Sequence, residues 1–111
     1  MLTMPLDILL VAVSQRGTSS RRRTLRTLAA TCDTEGELVR LAAASGRPLL
    51  AKIDPYGDLV LTSSEADQLV AELRSVDGAA SGAAARIVDE VVGLAERCAT
   101  DATTELHLIG D

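Results

Sequence analysis

The chain contains no tryptophan and no phenylalanine, and Tyr56 is its whole aromatic complement. Its core must therefore be packed from Leu, Val, Ile and Ala, and the aromatic platforms on which proteins stack nucleic-acid bases are missing. Histidine is represented by His107 alone and cysteine by Cys32 and Cys98. No His/Cys set has metal-ligand spacing, and no nucleophile elbow or glycine-rich phosphate loop is present, so neither a metal nor a cofactor is expected. No apolar run approaches the ~18 residues that a membrane span requires. The first Arg or Lys is Arg16, Pro5 and Asp7 interrupt the opening apolar stretch, and no small-residue cleavage site follows. An export signal is thus not expected and the chain reads as cytoplasmic, with both cysteines reduced. A disulfide between them would require an oxidising compartment.

What is present fits one globular domain over residues 1–111. Hydrophobic residues make up 47% of the chain and charged residues 24%, and a chain of this length buries roughly two-thirds of its unfolded surface. The net charge of −5 is unevenly spread. Residues 1–30 hold five Arg against Asp7, a balance of +4, whereas residues 31–111 hold six basic and fifteen acidic groups, a balance of −9. Such asymmetry can mark a binding face, while the acidic total argues against a free nucleic-acid binder.

Pro5-Leu-Asp-Ile-Leu-Leu-Val-Ala-Val-Ser14 reads as a strand with two largely apolar faces, either central and covered on both sides or buried at an interface. Residues 15–20 read as a loop. Residues 21–31 carry both helical spacing (Leu25, Leu28, Ala29, Cys32) and strand formers (Thr24, Thr27, Thr31), and the second reading, a returning strand, is preferred. Thr34 and Glu37 form a capping box for a helix with Leu38, Leu41 and Ala42 on its apolar stripe, ending at Gly46. In Ile53-Asp-Pro-Tyr-Gly-Asp58, Pro55 presets the first corner of a turn and Gly57 suits a left-handed residue. The apolar alternation of Ala51 and Ile53 before it and of Leu59 and Leu61 after it predicts a tight hairpin. Thr62 and Glu65 form a second capping box, and Ala66, Leu69, Val70, Leu73 and Val76 trace a helix that stops at Gly78. Ser81 is a candidate N-cap for a long helix over about 82–99, lined by Ala84, Ile87, Val88, Val91, Leu94, Ala95 and Cys98. Residues 103–109 close the chain as a strand with Leu106 and Leu108 inward. The order is ββαββααβ, an α+β domain with three helices and a mixed or antiparallel sheet of about five strands.

The turn Ile53-Asp-Pro-Tyr-Gly-Asp58, the amphipathic helix pair behind it and the ending His107-Leu-Ile-Gly-Asp111 resemble a group of small uncharacterised bacterial proteins. These carry the same Asp-Pro-Tyr-Gly-Asp turn and finish on a strand followed by Gly-Asp. The resemblance covers about residues 49–111 and implies the fold order; it implies no activity.

Candidate sites each have a plainer structural reading. Asp54 and Asp58 flank Tyr56 and offer two carboxylates, but Asp before Pro and after Gly serves the turn itself, and a calcium loop needs more oxygen ligands. His107 has Glu105 or Asp58 as acid–base company, though an ordinary strand histidine accounts for it. Cys98 lies on an apolar stripe and reads as a small core residue, whereas Cys32, near a helix start, is the better candidate for a lowered thiol pKa. Arg21, Arg22, Arg23 and Arg26, beside Ser19 and Ser20, suit phosphates or an acidic partner; as a charged edge strand they also guard against aggregation.

These features favour a small protein-binding module, most concretely an immunity- or antitoxin-like inhibitor. Its contact would be an acidic surface of Asp54, Asp58, Glu65 and Asp67 with Tyr56 as anchor. A nucleic-acid or phosphate binder using Arg21 to Arg26 is the alternative, and an enzyme using His107 a second. A homodimer is a further partner reading.

Overall fold

The computed structural model describes residues 5–15 and 23–110. Of the loop expected at residues 15–20, Gln15 is instead the last residue of the first strand, and residues 16–20, together with Arg21 and Arg22, lie outside the described ones. Four strands form one sheet: β1 (Leu6–Gln15), β2 (Arg23–Asp33), β3 (Asp58–Leu61) and β4 (Thr104–Ile109). Their spatial order is β2-β1-β4-β3, and every pair is antiparallel. Three helices complete the fold: α1 (Glu37–Ser45), α2 (Ser63–Val76) and α3 (Ala83–Ala99). The fold class is therefore α+β, with three helices as expected.

The helices all lie on one side of the sheet. Register places Ile8 opposite Leu108, Leu10 opposite Leu106, and Leu61 opposite Leu106 on β3. These side chains join Leu38, Leu69, Leu73, Val88 and Val91 in one aliphatic core. With no Phe or Trp to fill space, the core relies on many interdigitated leucines, which pack well between a sheet and helices. β1 is the central strand that its apolar sequence suggests, and residues 23–33 form a strand, as preferred for residues 21–31. β2 carries a bulge at Leu28, where the register steps from Leu10↔Ala29 to Val11↔Thr27.

Among the described residues the sheet has four strands rather than the expected five or so. The expected strand before the turn is absent: Leu50–Lys52 form a 3₁₀ turn instead, in which Lys52 N donates to Leu49 O and Ile53 N to Leu50 O. The reason is long-range. Leu49 and Leu50 are consecutive and both buried, at 3% and 0% exposure, and both enter the same core, whereas neighbouring side chains of a strand point to opposite faces. Their backbone N–H groups are taken by the Glu72 carboxylate of α2, at 3.0 Å from each. The Asp54–Gly57 segment still makes a turn, with Gly57 N donating to Asp54 O and Tyr56 N to Asp54 Oδ1. It delivers the chain to β3, which pairs with β4 and not with a hairpin neighbour. Gly57 also lacks the positive φ expected of it; Gly36, Gly46 and Gly82 have it.

The second capping box holds in both directions: Glu65 N donates to Thr62 Oγ1, and Thr62 N to Glu65 Oε1. The first does not form. Gly36 is the N-cap of α1, at φ 71°, with no side-chain cap of its own. Asp33, the last residue of β2, reaches over it and accepts from Glu37 N (2.9 Å), Leu38 N (2.8 Å) and Val39 N (3.3 Å). A carboxylate satisfies three of the helix's orphan donors and carries the negative charge that this end favours, so it displaces the Thr34 hydroxyl. At α3, Gly82 rather than Ser81 occupies the N-cap position.

Candidate interaction surface on the open sheet face

No helix among the described residues lies on the other side of the sheet. Alternation along β1 turns Leu9, Val11 and Val13 towards it, and register sets them beside His107, Glu105 and Leu25 respectively. The apolar second face of β1 is therefore not covered by this chain's own helices. Val11 is nonetheless only 3% exposed. Arg23, on β2, extends across β1 to Glu105 on β4, with Nη2 2.8 Å from Oε1. His107 Nε2 stands 3.0 Å from the same oxygen. The three side chains form a polar strap over Val11. Burial pushes the Glu105 carboxyl up, but its hydrogen bonds to His107 and Arg23, and their positive charge, outweigh that and hold it below its ordinary value.

Around the strap, large apolar side chains stay exposed: Leu25 at 54%, Leu28 at 39% and Val60 at 47%. Val60 lies opposite His107 on β3. His107 is thus paired with Glu105, as one sequence reading anticipates, and set between Leu9 and Val60; Asp58 is opposite Ile109 instead.

The proposed acidic group is divided by the fold. Asp54 is engaged by Tyr56 N and Glu65 by Thr62. Asp58 shares the open sheet face, and Tyr56 is exposed at the turn beside it, at 71%. Asp67 belongs to the helix layer, on a groove of about 210 Å³ between α2 and α3 with Arg74 and Glu96. Of the arginine cluster, Arg21 and Arg22 lie outside the described residues and Arg23 is held by Glu105. Arg26 is exposed on the helix side of β2, opposite Ala12.

Cys98 is fully buried, and desolvation raises its thiol pKa. Cys32 is exposed and forms no disulfide. It lines a cleft of about 270 Å³ with Asp33, Glu35, Glu37, Arg86 and Glu90. The α1 N-terminus, which would favour a thiolate there, is already occupied by Asp33. Burial raises the Asp33 carboxyl, against the pull of its three backbone hydrogen bonds, and the Glu37 charge adds to the rise. Among the described residues, no three His, Cys, Asp or Glu side chains are grouped to hold a metal ion. No helix among them is long and apolar enough to cross a membrane.

Sequence reasoning missed the Arg23–Glu105 link and the two buried carboxylates, Asp33 and Glu72. Glu72 had a visible signal: it stands next to Leu73 and three residues after Leu69, on the edge of an apolar stripe. Comparison of the chain with protein-family models, with curated proteins and with solved structures gave no match.

Proposed function

We propose that this chain is a protein-binding module whose contact surface is the open sheet face. The observation that carries this reading is the second apolar row of β1, Leu9, Val11 and Val13, on a face where Leu25 and Val60 remain exposed. Exposed apolar area rimmed by polar groups is the usual mark of a protein contact. The Arg23–Glu105–His107 strap supplies hydrogen-bonding groups at its centre, and Tyr56 and Asp58 stand at one corner. An inhibitor of the immunity or antitoxin kind remains the concrete version, acting by covering a partner's site.

The test is capture on immobilised protein, comparing wild type with Leu25→Arg/Val60→Arg, whose changes are at exposed positions and leave the core intact. A partner bound by wild type and by Arg74→Glu, but not by the face variant, supports the reading. Tyr56→Ala and Asp58→Ala should weaken the same partner. Retention on the face variant refutes the reading. Loss on Arg21→Ala/Arg22→Ala/Arg26→Ala alone, with sensitivity to competing inorganic phosphate, would transfer the function to phosphate binding.

A further inference from the structure

β2 and β3 are the two edges of the sheet, and they differ. β3 has four residues, a length too short to recruit another strand effectively. β2 has eleven, and its exposure pattern is open along almost its whole length. One row of its backbone N–H and C=O groups has no strand of the described residues beside it. Of its two basic residues, Arg23 is drawn back across the sheet to Glu105. Arg26 alone guards the edge, exposed and with no hydrogen bond to another described residue.

We infer that β2 pairs antiparallel with β2 of a second copy of this chain, about a two-fold axis next to Leu28, extending the sheet to eight strands. Two observations fix the partner and the register. The bulge at Leu28 shifts the side-chain alternation by one, so Leu25 and Thr27 share a face with Ala30 and Cys32, while Arg26 shares the helix side with Thr31. A register that keeps like faces together sets Arg26 opposite Thr31 of the second copy and Leu25 opposite its Cys32. Thr31 is where α3 comes down onto the edge: its hydroxyl donates to the Glu90 carboxylate. Arg26 is thereby brought to Glu90 of the second copy, and symmetry forms the ion pair twice. The charge that ordinarily protects an edge against association is here complementary to the same edge turned round, as an isologous contact requires. This inference is independent of the docking surface proposed above, since it uses the sheet's edge and not its face.

A strand pair with two ion pairs makes a small interface, so the dimer is weak and concentration-dependent. Sedimentation equilibrium of the full chain from about 10 µM to about 1 mM should show reversible monomer–dimer exchange. Arg26→Glu should raise the dissociation constant about tenfold or more by setting like charges together. Glu90→Arg should do the same, and the double variant Arg26→Glu/Glu90→Arg should return it to within about threefold of wild type. Register is tested by Leu25→Cys. Directly opposite antiparallel residues have Cα atoms about 4.5–5.5 Å apart, inside the roughly 4.4–6.8 Å that a disulfide spans. Mild oxidation should thus link Leu25→Cys to Cys32 of the second copy, and Cys32→Ser should abolish the link. A monomer at every concentration, a dimer indifferent to Arg26→Glu, or no cross-link from Leu25→Cys would each overturn the inference.

Discussion

Replacing Glu72 by Ala should be among the most damaging single changes in this chain, although the residue belongs to no site. The residue is 8% exposed, and its carboxylate accepts from Leu49 N at 3.0 and 3.2 Å, from Leu50 N at 3.0 Å and from Gln68 Nε2 at 2.8 Å. Truncation leaves two buried backbone donors without a partner, and each such loss costs about 1–3 kcal/mol. A total loss of about 3–5 kcal/mol is expected, a large share of the ~5–15 kcal/mol that stabilises a typical domain. The melting temperature should then fall by roughly 10 °C or more. Glu72→Gln separates acceptor geometry from charge. Oε1 alone serves both Leu49 and Leu50, so an amide oxygen there should keep most of the stability and lose about 1 kcal/mol. Urea unfolding gives both differences, and hydrogen exchange at the Leu49 and Leu50 amides reports the local cause. A loss under 1 kcal/mol for Glu72→Ala with both amides still protected would refute the reasoning. A Gln variant as damaged as the Ala variant would show that charge, not the acceptor, holds the segment.

Gly110→Ala should destabilise more than Gly57→Ala, by urea unfolding. A Cβ at Gly110 would stand 2.5 Å from the Pro55 carbonyl carbon and 2.7 Å from Asp54 O, all backbone, whereas at Gly57 it meets the movable tip of Asp54. Detachment of the chain end, which breaks the 2.9 Å bond from Gly110 N to Gly57 O, limits the first loss to about 1–2 kcal/mol, and the second should stay under about 1 kcal/mol. In native protein, thiol titration should find Cys32 reactive at once and Cys98 only on unfolding, because the buried thiol resists ionisation; two fast thiols would mean that α3 does not pack as described. Glu105→Gln tests the strap. A carboxylate held below its ordinary 4.5 in the folded state contributes stability above that pH and loses it as pH falls through the lower folded value. The stability difference between wild type and variant should therefore be full at pH 7 and shrink once pH drops below about 4.5; a difference independent of pH would count against the ionised strap.

Where the determinants are near in sequence, the elements were legible. The Thr62–Glu65 box and the spacing from Ala66 to Val76 place α2 because capping and helical periodicity are local. The apolar second face of β1 likewise announced a central strand with something to bury on both sides. The strand expected before the turn failed on a distant residue, and the first capping box on a local competitor. Ala51 and Ile53 alternate as a strand should, but Glu72, more than twenty residues later, binds the Leu49 and Leu50 amides and winds the segment into a 3₁₀ turn. Thr34 and Glu37 satisfy the capping-box pattern, yet Asp33 wins because Gly36 lets the chain fold back beneath it. The strap was half visible: Glu105 and His107 are two apart on one strand, but Arg23 is 82 residues from Glu105 and only the sheet order brings them together.

The fold also changes what the acidic balance means. Read as a sum, −9 over residues 31–111 suggests a negative surface that steers a basic partner. In the structure most of those carboxylates have local employment. Asp33, Glu72, Glu65, Asp54 and Asp101 hold backbone amides, Glu90 holds the Thr31 hydroxyl, Glu105 holds Arg23, Glu37 holds Arg40 and Glu96 holds Arg74. The described carboxylates whose side chains hold no other described residue are scattered: Glu35 ahead of α1, Asp58 on β3, Asp67 on α2, Asp77 just after it and Asp89 on α3. Separated charges on different faces add little to one another once salt screens them over about 8–10 Å. Apolar area follows the opposite pattern, concentrated on one sheet face by the strict alternation of β1. On the proposed reading, a partner would meet an aliphatic surface with a polar strap across it, with charge at its margin, through Asp58 beside Tyr56.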